Sequence, residues 1–253
     1  MAALGNAPED PTLTGRLSSA EGPVPVRLSA TVLVVRPAES ADGGLQVLLL
    51  RRNDRSGFVA GATLYPGGAV DPGDALVPTT ADAPGVVADS LPDVHRSGFG
   101  EDDPTLVRRL SVIAAARECF EEAGVLLAIR ADGGWADAAQ VSRVAAAGSF
   151  AAALHTEQLH VPVERFLPWG RWVTPVGAPR RYDTHFFVVA APVGAEVRVD
   201  GREIVHGAWW NPGEALAAER AGELRFVTPT RKTLERLSEH RSFETVRPYG
   251  DNT

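Results

Sequence analysis

The sequence predicts an α/β domain built on a mixed β-sheet. Apolar runs at residues 28–35 and 45–50 carry the strand signature, while the alanine- and glutamate-rich stretch 105–127 carries the helical one. Further strand and helix patterns alternate after it, without the uniform repeat of an all-parallel sheet. A chain of 253 residues, 44% apolar and 23% charged, is long enough for one domain with appendages.

Residues 1–25 mix Pro, Gly, Ser and acidic residues without periodicity and are expected to form a flexible tail. They lack a basic segment leading into an apolar one, so no secretory leader is expected. The single domain is expected over 26–240. In 28–35, Ala30, Val32 and Val34 alternate with Thr31, Leu33 and Val35, which suits a strand buried on both faces. A Pro/Gly turn at 37–44 and the run 45–50, ending in Arg51 and Arg52, make the second arm of a hairpin. Tyr65-Pro66-Gly67-Gly68 breaks the strand pattern. Residues 75–104 are acidic and hold Pro78, Pro84, Pro92 and Pro104, the mark of a long loop. Asp103 and Pro104 then supply an N-cap and a first helical residue for 105–127. A helix is expected over 136–154, strands over 169–175 and 182–191, and a hairpin over 196–210 turning at Asp200-Gly201 with type I′ geometry. Helices at 213–220 and 230–240 precede a polar tail, 241–253.

Composition narrows the chemistry. One cysteine, Cys119, leaves no partner for an intramolecular disulfide and no thiolate zinc cage. A net charge of −7 argues against a nucleic-acid surface, and no stretch reaches the ~20 apolar residues of a membrane span. Lys232, the only lysine, follows no Gly-rich loop of the Walker type. Gly98-Phe99-Gly100 follows no strand, so a dinucleotide fingerprint is missing as well. The histidines show no zinc-binding spacing. A cytoplasmic protein is expected.

The decisive stretch is Arg117-Glu118-Cys119-Phe120-Glu121-Glu122-Ala123-Gly124-Val125. On a helix Glu121 and Glu122 fall three and four positions after Glu118, so the three carboxylates share a face. Phe120 and Ile113 fall on the buried side, and Ser111 and Ala114 lie under the carboxylates, leaving room above the helix. Crowded carboxylates repel one another unless a cation joins them, and a hard ion such as Mg²⁺ or Mn²⁺ suits oxygen ligands. A charge run of this kind can equally be a solvated helix face.

This stretch resembles the box of the Nudix hydrolases, Gly-x5-Glu-x7-Arg-Glu-U-x-Glu-Glu-x-Gly-U with U apolar. Arg117, Glu118, Cys119, Glu121, Glu122, Gly124 and Val125 match its helical half, and Gly68 matches its first glycine. Asp74 stands where the box has its first Glu, and 42 residues (117 − 74 − 1) separate it from Arg117 where the box has seven. A long insertion inside the box is a feature of the coenzyme A diphosphatase branch of animals. This chain is similar to that branch over about 28–240, in Val47–Arg52, Ser56-Gly57-Phe58, Gly61-Ala62, Tyr65–Gly68, Trp169–Pro175, Arg180–Thr184, Phe186-Phe187, and Glu203–His206 leading to Trp210, Pro212 and Glu214. The C-terminal Gly250-Asp251-Asn252-Thr253 spells no peroxisomal address.

The resemblance implies a Nudix-type α/β/α sandwich and a pyrophosphohydrolase using Mg²⁺ or Mn²⁺ held by Glu118, Glu121 and Glu122. Such ions neutralise phosphate oxygens and activate water for in-line attack at phosphorus. Arg117 would orient Glu121, Gly68 would let the loop approach the helix, and Asp74 would replace the box Glu in an outer shell. Glu203 is the candidate for an additional metal ligand from outside the box, or else an exposed charge at a strand start. Arg52, Tyr65, Gly67, Gly68, Arg180, Arg181 and Asp183 are candidate substrate contacts, arginine being suited to phosphate by its planar fork. Arg180 or Arg181 pairing with Asp183 is the competing arrangement. Trp169, Trp172, Trp209 and Trp210 are either adenine platforms or core residues. Cys119 fills the apolar U position and points away from the carboxylates. The expected substrate is a small nucleotide derivative: coenzyme A or an acyl-coenzyme A first, with ADP-ribose, NADH or another nucleoside diphosphate derivative as alternatives. A non-catalytic nucleotide-binding module is the reading from another class, and a homodimer is the expected assembly.

Overall fold

The computed structural model describes residues 24–39, 43–55, 60–80 and 103–248. The expected tail at 1–23, the Ser56-Gly57-Phe58 segment, most of the 75–104 loop and the last residues of the C-terminal tail lie outside the described residues. The strands are β1 (Val26–Pro37), β2 (Leu45–Arg52), β3 (Thr63–Leu64), β4 (Gly67–Ala69), β5 (Leu167–Val173), β6 (Arg181–Ala190) and β7 (Ile204–Trp210). The helices are α1 (Pro104–Ala123), α2 (Ala138–Ala146), α3 (Phe150–Thr156), α4 (Pro212–Arg220) and α5 (Thr228–Leu237).

β1 is the spine of the sheet because its apolar run buries both faces. It pairs parallel with β6, from Val26 opposite Arg181 to Val35 opposite Ala190. Its other edge is shared: β2 returns antiparallel beside its C-terminal half, with Val35 opposite Val47, and β4 takes its N-terminal half. The strand order is β3-β2-β1-β6-β5, with β7 antiparallel on β2, so the mixed sheet is as expected. On one face Ala30, Val32, Val34, Phe187 and Val189 pack with Ile113, Ala116 and Cys119 of α1. On the other, Leu33, Val35, Val47 and Val188 pack with Ala215 of α4 and with Leu234 and Leu237 of α5. Helix layers on both faces make the α/β/α sandwich. Val246, from the expected polar tail, is buried in the second cluster.

Several expectations are corrected. The helix expected to reach Leu127 ends at Ala123, because Gly124 takes the left-handed conformation (φ 70°) that stops it. Residues 136–154 form two helices, since Ala147 turns extended and Ser149 caps α3 with its hydroxyl. No hairpin forms at 196–210. Residues 196–199 belong to no strand, and β7 pairs with β2 instead. The Asp200 carboxylate accepts the backbone N–H groups of Arg202, Glu203 and Ile204, and Gly201 alone has positive φ there, so the turn is not type I′. Val197 and Val199 instead pack against the first core. Gly67 and Gly68, read as a break, lie in β4.

Candidate active site

α1 is fixed at both ends by its sequence. Asp103 accepts from the N–H groups of Thr105 and Leu106 at 3.0 Å, Pro104 has no N–H in need of an acceptor, and Gly124 closes the far end. Between them the helix is buried around most of its circumference, including Ser111 and Ala114, which pack under the sheet and leave no open room. The free arc is the one carrying Arg117, Glu118 and Glu121. Cys119 is fully buried on the apolar side, and burial pushes its thiol pKa up.

β4 brings the loop half to the helix. Gly68 sits opposite Ala30 and Gly67 opposite Thr31 on β1. A Cβ on Gly68 would overlap the Glu118 carboxylate, while one on Gly67 would overlap the Ala30 carbonyl and approach Thr31 Cα to 2.8 Å. Bare glycine is therefore what lets strand and carboxylates meet. The Gly67 N–H donates to Glu122 Oε2 at 3.1 Å.

Arg117 organises the acidic groups. Its Nε donates to Asp74 Oδ1 at 2.7 Å and its Nη2 to Asp74 Oδ2 at 3.2 Å, a two-pronged pair. Nη1 reaches Glu118 at 2.9 Å and Glu121 at 3.0 Å, and Nη2 also donates to the Ala69 carbonyl at 3.0 Å. The expected Arg117–Glu121 contact is present, with Asp74 as the stronger partner. Asp74 is fully buried, in the short 3₁₀ turn Pro72–Leu76, and accepts the Asp71 N–H at 2.8 Å. Replacing Asp74 by Asn removes half of a buried ion pair and is expected to cost about 3 kcal/mol of stability, read by chemical denaturation. A loss below about 1 kcal/mol would show that Asp74 does not anchor Arg117.

Burial raises the Glu118 carboxyl pKa, opposed by Arg117 and reinforced by Glu121 and Asp74. Burial likewise pushes Glu122 up to about 8; the Gly67 N–H and Arg52 oppose this, and the Glu118 and Glu203 charges add to it. Glu203 thus lies within electrostatic reach of Glu122, and it contacts Arg52 directly. Among the described residues no group of carboxylates, imidazoles or thiolates closes into a ready metal cage. Glu118 and Glu121 are turned onto Arg117 and Glu122 onto Gly67. The donor set nonetheless fits a hard divalent cation: all-oxygen ligands on one helix turn, with two carboxyls held up by burial and mutual repulsion that a cation would offset.

Next to the glutamates lies a cavity of about 200 Å³ on the α5 side of the sheet. Thr31, Arg52, Tyr65, Gly67, Trp172, Tyr182, Thr184 and Phe186 line it, and Gly67 and Arg52 are shared with the acidic cluster. Of the expected substrate contacts, Arg52, Tyr65 and Gly67 face the cavity and Gly68 faces Glu118. Tyr65 is largely a packing residue: it is 2% exposed, and its hydroxyl donates to the Thr230 carbonyl at 3.3 Å. The structure does not bring Arg180, Arg181 and Asp183 to the cavity. Arg180 is exposed beside β6, and strand alternation turns Arg181 and Asp183 to the α1 face, opposite Tyr182, Thr184 and Phe186. Asp183 pairs with neither arginine. Arg171 of β5 lies opposite His185, and its guanidinium reaches diagonally to the Asp183 carboxylate in a two-pronged contact at 2.8 and 2.6 Å. His185, on the same face, has its pKa lowered by burial.

Among the tryptophans, Trp172 lines the cavity. Trp169 is buried under the Arg236 guanidinium, 3.8 Å from its ring, and Trp209 lies under Arg36 at 4.5 Å. Tyr182, Thr184 and Phe186 line the cavity without being among the expected contacts, although their i, i+2, i+4 spacing in an expected strand is the signal available.

Comparison with known proteins gives consistent findings. The family described as the NUDT19 Nudix domain matches residues 23–237. Curated relatives include the acyl-coenzyme A diphosphatase NUDT19 of Xenopus laevis, 27% identical over 76% of this chain and 59% of the relative. Its human counterpart is 27% identical over 84% of this chain and 64% of the relative. The chain thus spans about three fifths of the length of these relatives. Among solved structures, a NUDIX hydrolase from Alicyclobacillus acidocaldarius superposes with a TM-score of 0.68 at 26% identity, covering 90% of this chain and 99% of that one.

Proposed function

Because the chain belongs to the NUDT19 Nudix domain family, we propose that it hydrolyses the diphosphate of coenzyme A or an acyl-coenzyme A, releasing 3′,5′-ADP and (acyl-)4′-phosphopantetheine. The observation that carries this reading is the joining of two features at Gly67: the acidic turn of α1 and an aromatic-lined cavity beside it. Relatives named acyl-coenzyme A diphosphatase support the choice of substrate.

Glu118, Glu121 and Glu122 would hold Mg²⁺ or Mn²⁺, with Glu203 as a further ligand from the β7 side. A divalent cation there supplies neutralisation of the diphosphate oxygens and acidification of the attacking water. The chain's own residues do the positioning. Arg117 keeps Glu118 and Glu121 in place through its anchor on Asp74. Arg52, between Glu203 and the cavity, presents its guanidinium toward a bound phosphate. Trp172, Tyr182 and Phe186 offer flat apolar walls for an adenine ring, as aromatic faces do. Among the described residues no helix is long and apolar enough to cross a membrane.

The test is chromatography of products from coenzyme A, acetyl-coenzyme A, ADP-ribose and NADH, each with Mg²⁺, Mn²⁺ or EDTA. Metal-dependent 3′,5′-ADP from the coenzyme A substrates is the expected outcome. Cleavage of ADP-ribose or NADH alone would replace the substrate, and inertness towards all four, with nucleotide binding retained, would favour a non-catalytic module.

A further inference from the structure

Arg27 has no assigned role, and its surroundings are unusual. It sits on β1 opposite Tyr182 of β6, and alternation places it with Ser29 and Thr31 on the face that carries the cavity. Its Nε is buried with no hydrogen-bond partner, and no described carboxylate forms an ion pair with it. A buried guanidinium N–H without an acceptor is costly, and it is the kind of group a ligand satisfies. The neighbouring arginines on the adjoining strands are engaged: Arg171 meets Asp183, and Arg181 donates to the Thr174 carbonyl at 3.2 Å.

Position defines what Arg27 can read. Thr31, beside Gly67 at the acidic end, is four residues along the strand, so the two Cα atoms stand about 13 Å apart. The lining residues Thr184 and Tyr182 bridge that interval, Ser29 Oγ and Thr184 Oγ1 lying 2.7 Å apart. A group bound by Arg27 would stand apart from a diphosphate at the glutamates, on the face that carries the cavity and beside its lining residue Tyr182. We propose that Arg27 binds a phosphate monoester remote from the scissile diphosphate, which in coenzyme A is the 3′-phosphate, and so selects substrates carrying one. This rests on the coenzyme A reading above and names the residue that would distinguish that substrate from other nucleoside diphosphate derivatives.

The test compares coenzyme A with dephospho-coenzyme A, which lacks only the 3′-phosphate, on wild type, Arg27→Gln and Arg27→Lys. Wild type is expected to favour coenzyme A in kcat/KM by about 10- to 100-fold, the scale of a charge-assisted contact. Arg27→Gln should erase that preference by slowing coenzyme A alone, and Arg27→Lys should restore part of it. Dephospho-coenzyme A is the folding control: an equal loss on both substrates, or a preference that survives Arg27→Gln, overturns the proposal. Calorimetry with 3′,5′-ADP and 5′-AMP decides the point independently of catalysis. Tighter binding of 3′,5′-ADP that vanishes in Arg27→Gln supports the assignment even if neither coenzyme is cleaved, the result that would sink the substrate reading instead. Equal binding of the two nucleotides by wild type overturns it.

Discussion

Changing Glu122 to Gln is expected to lower kcat/KM about a thousandfold, the scale for losing one group that stabilises developing charge at a metal-assisted centre. The fold should survive. Glu122 is 8% exposed and its pKa is pushed up to about 8, so in the metal-free protein near pH 7 it is mostly protonated and close in shape to Gln. The sign follows from linkage. A carboxyl whose pKa is higher folded than unfolded gives stability that is full below its unfolded value of about 4.3 and is lost as pH rises through about 8. Metal-free wild type should therefore lose stability between those limits, and Glu122→Gln should flatten the decline. Thermal unfolding in EDTA across that range is the measurement. A variant that keeps full activity would remove Glu122 from the site, and one that unfolds outright would contradict a protonated Glu122.

Two adjacent glycines should fail in different ways. Gly67→Ala drives a Cβ into the Ala30 carbonyl and Thr31 Cα, backbone that cannot move without breaking the β1–β4 ladder, so a loss of about 2 kcal/mol is expected. Gly68→Ala meets first the Glu118 carboxylate, the end of a side chain rather than backbone. The carboxylate can swing aside, leaving stability near wild type, but kcat should drop about a hundredfold because the displaced group is a proposed ligand. Paired denaturation curves and steady-state rates separate the two. Equal behaviour of the variants would show that both glycines serve the β1–β4 packing alone.

These residues also show where the sequence was readable. The start of α1 was legible because Asp103 and Pro104 are chemical signals that act locally. Its end was not: Val125, Leu126 and Leu127 continue an apolar run, and only the left-handed Gly124 shows that they leave the helix to enter the core. β4 escaped because glycine is depleted in strands, and here it is required by a carboxylate from another element. The alternating Val197 and Val199 resembled a hairpin arm, yet their side chains satisfy the core while their backbone joins no ladder. At the site, the glutamates of α1 shared a face by helical spacing alone. The Arg171–Asp183 pair depends on a register shifted by the irregularity between Pro168 and Gly170, which sequence spacing does not encode.

We propose that the acidic turn of α1 holds the divalent metal that serves hydrolysis of a coenzyme A diphosphate. It is tested most directly by following 3′,5′-ADP release from coenzyme A against Mg²⁺ concentration in wild type and Glu122→Gln. A saturable, EDTA-abolished rate is expected in wild type and a rate about a thousandfold lower in the variant. Release that persists in EDTA, or survives in Glu122→Gln at the wild-type rate, would contradict it.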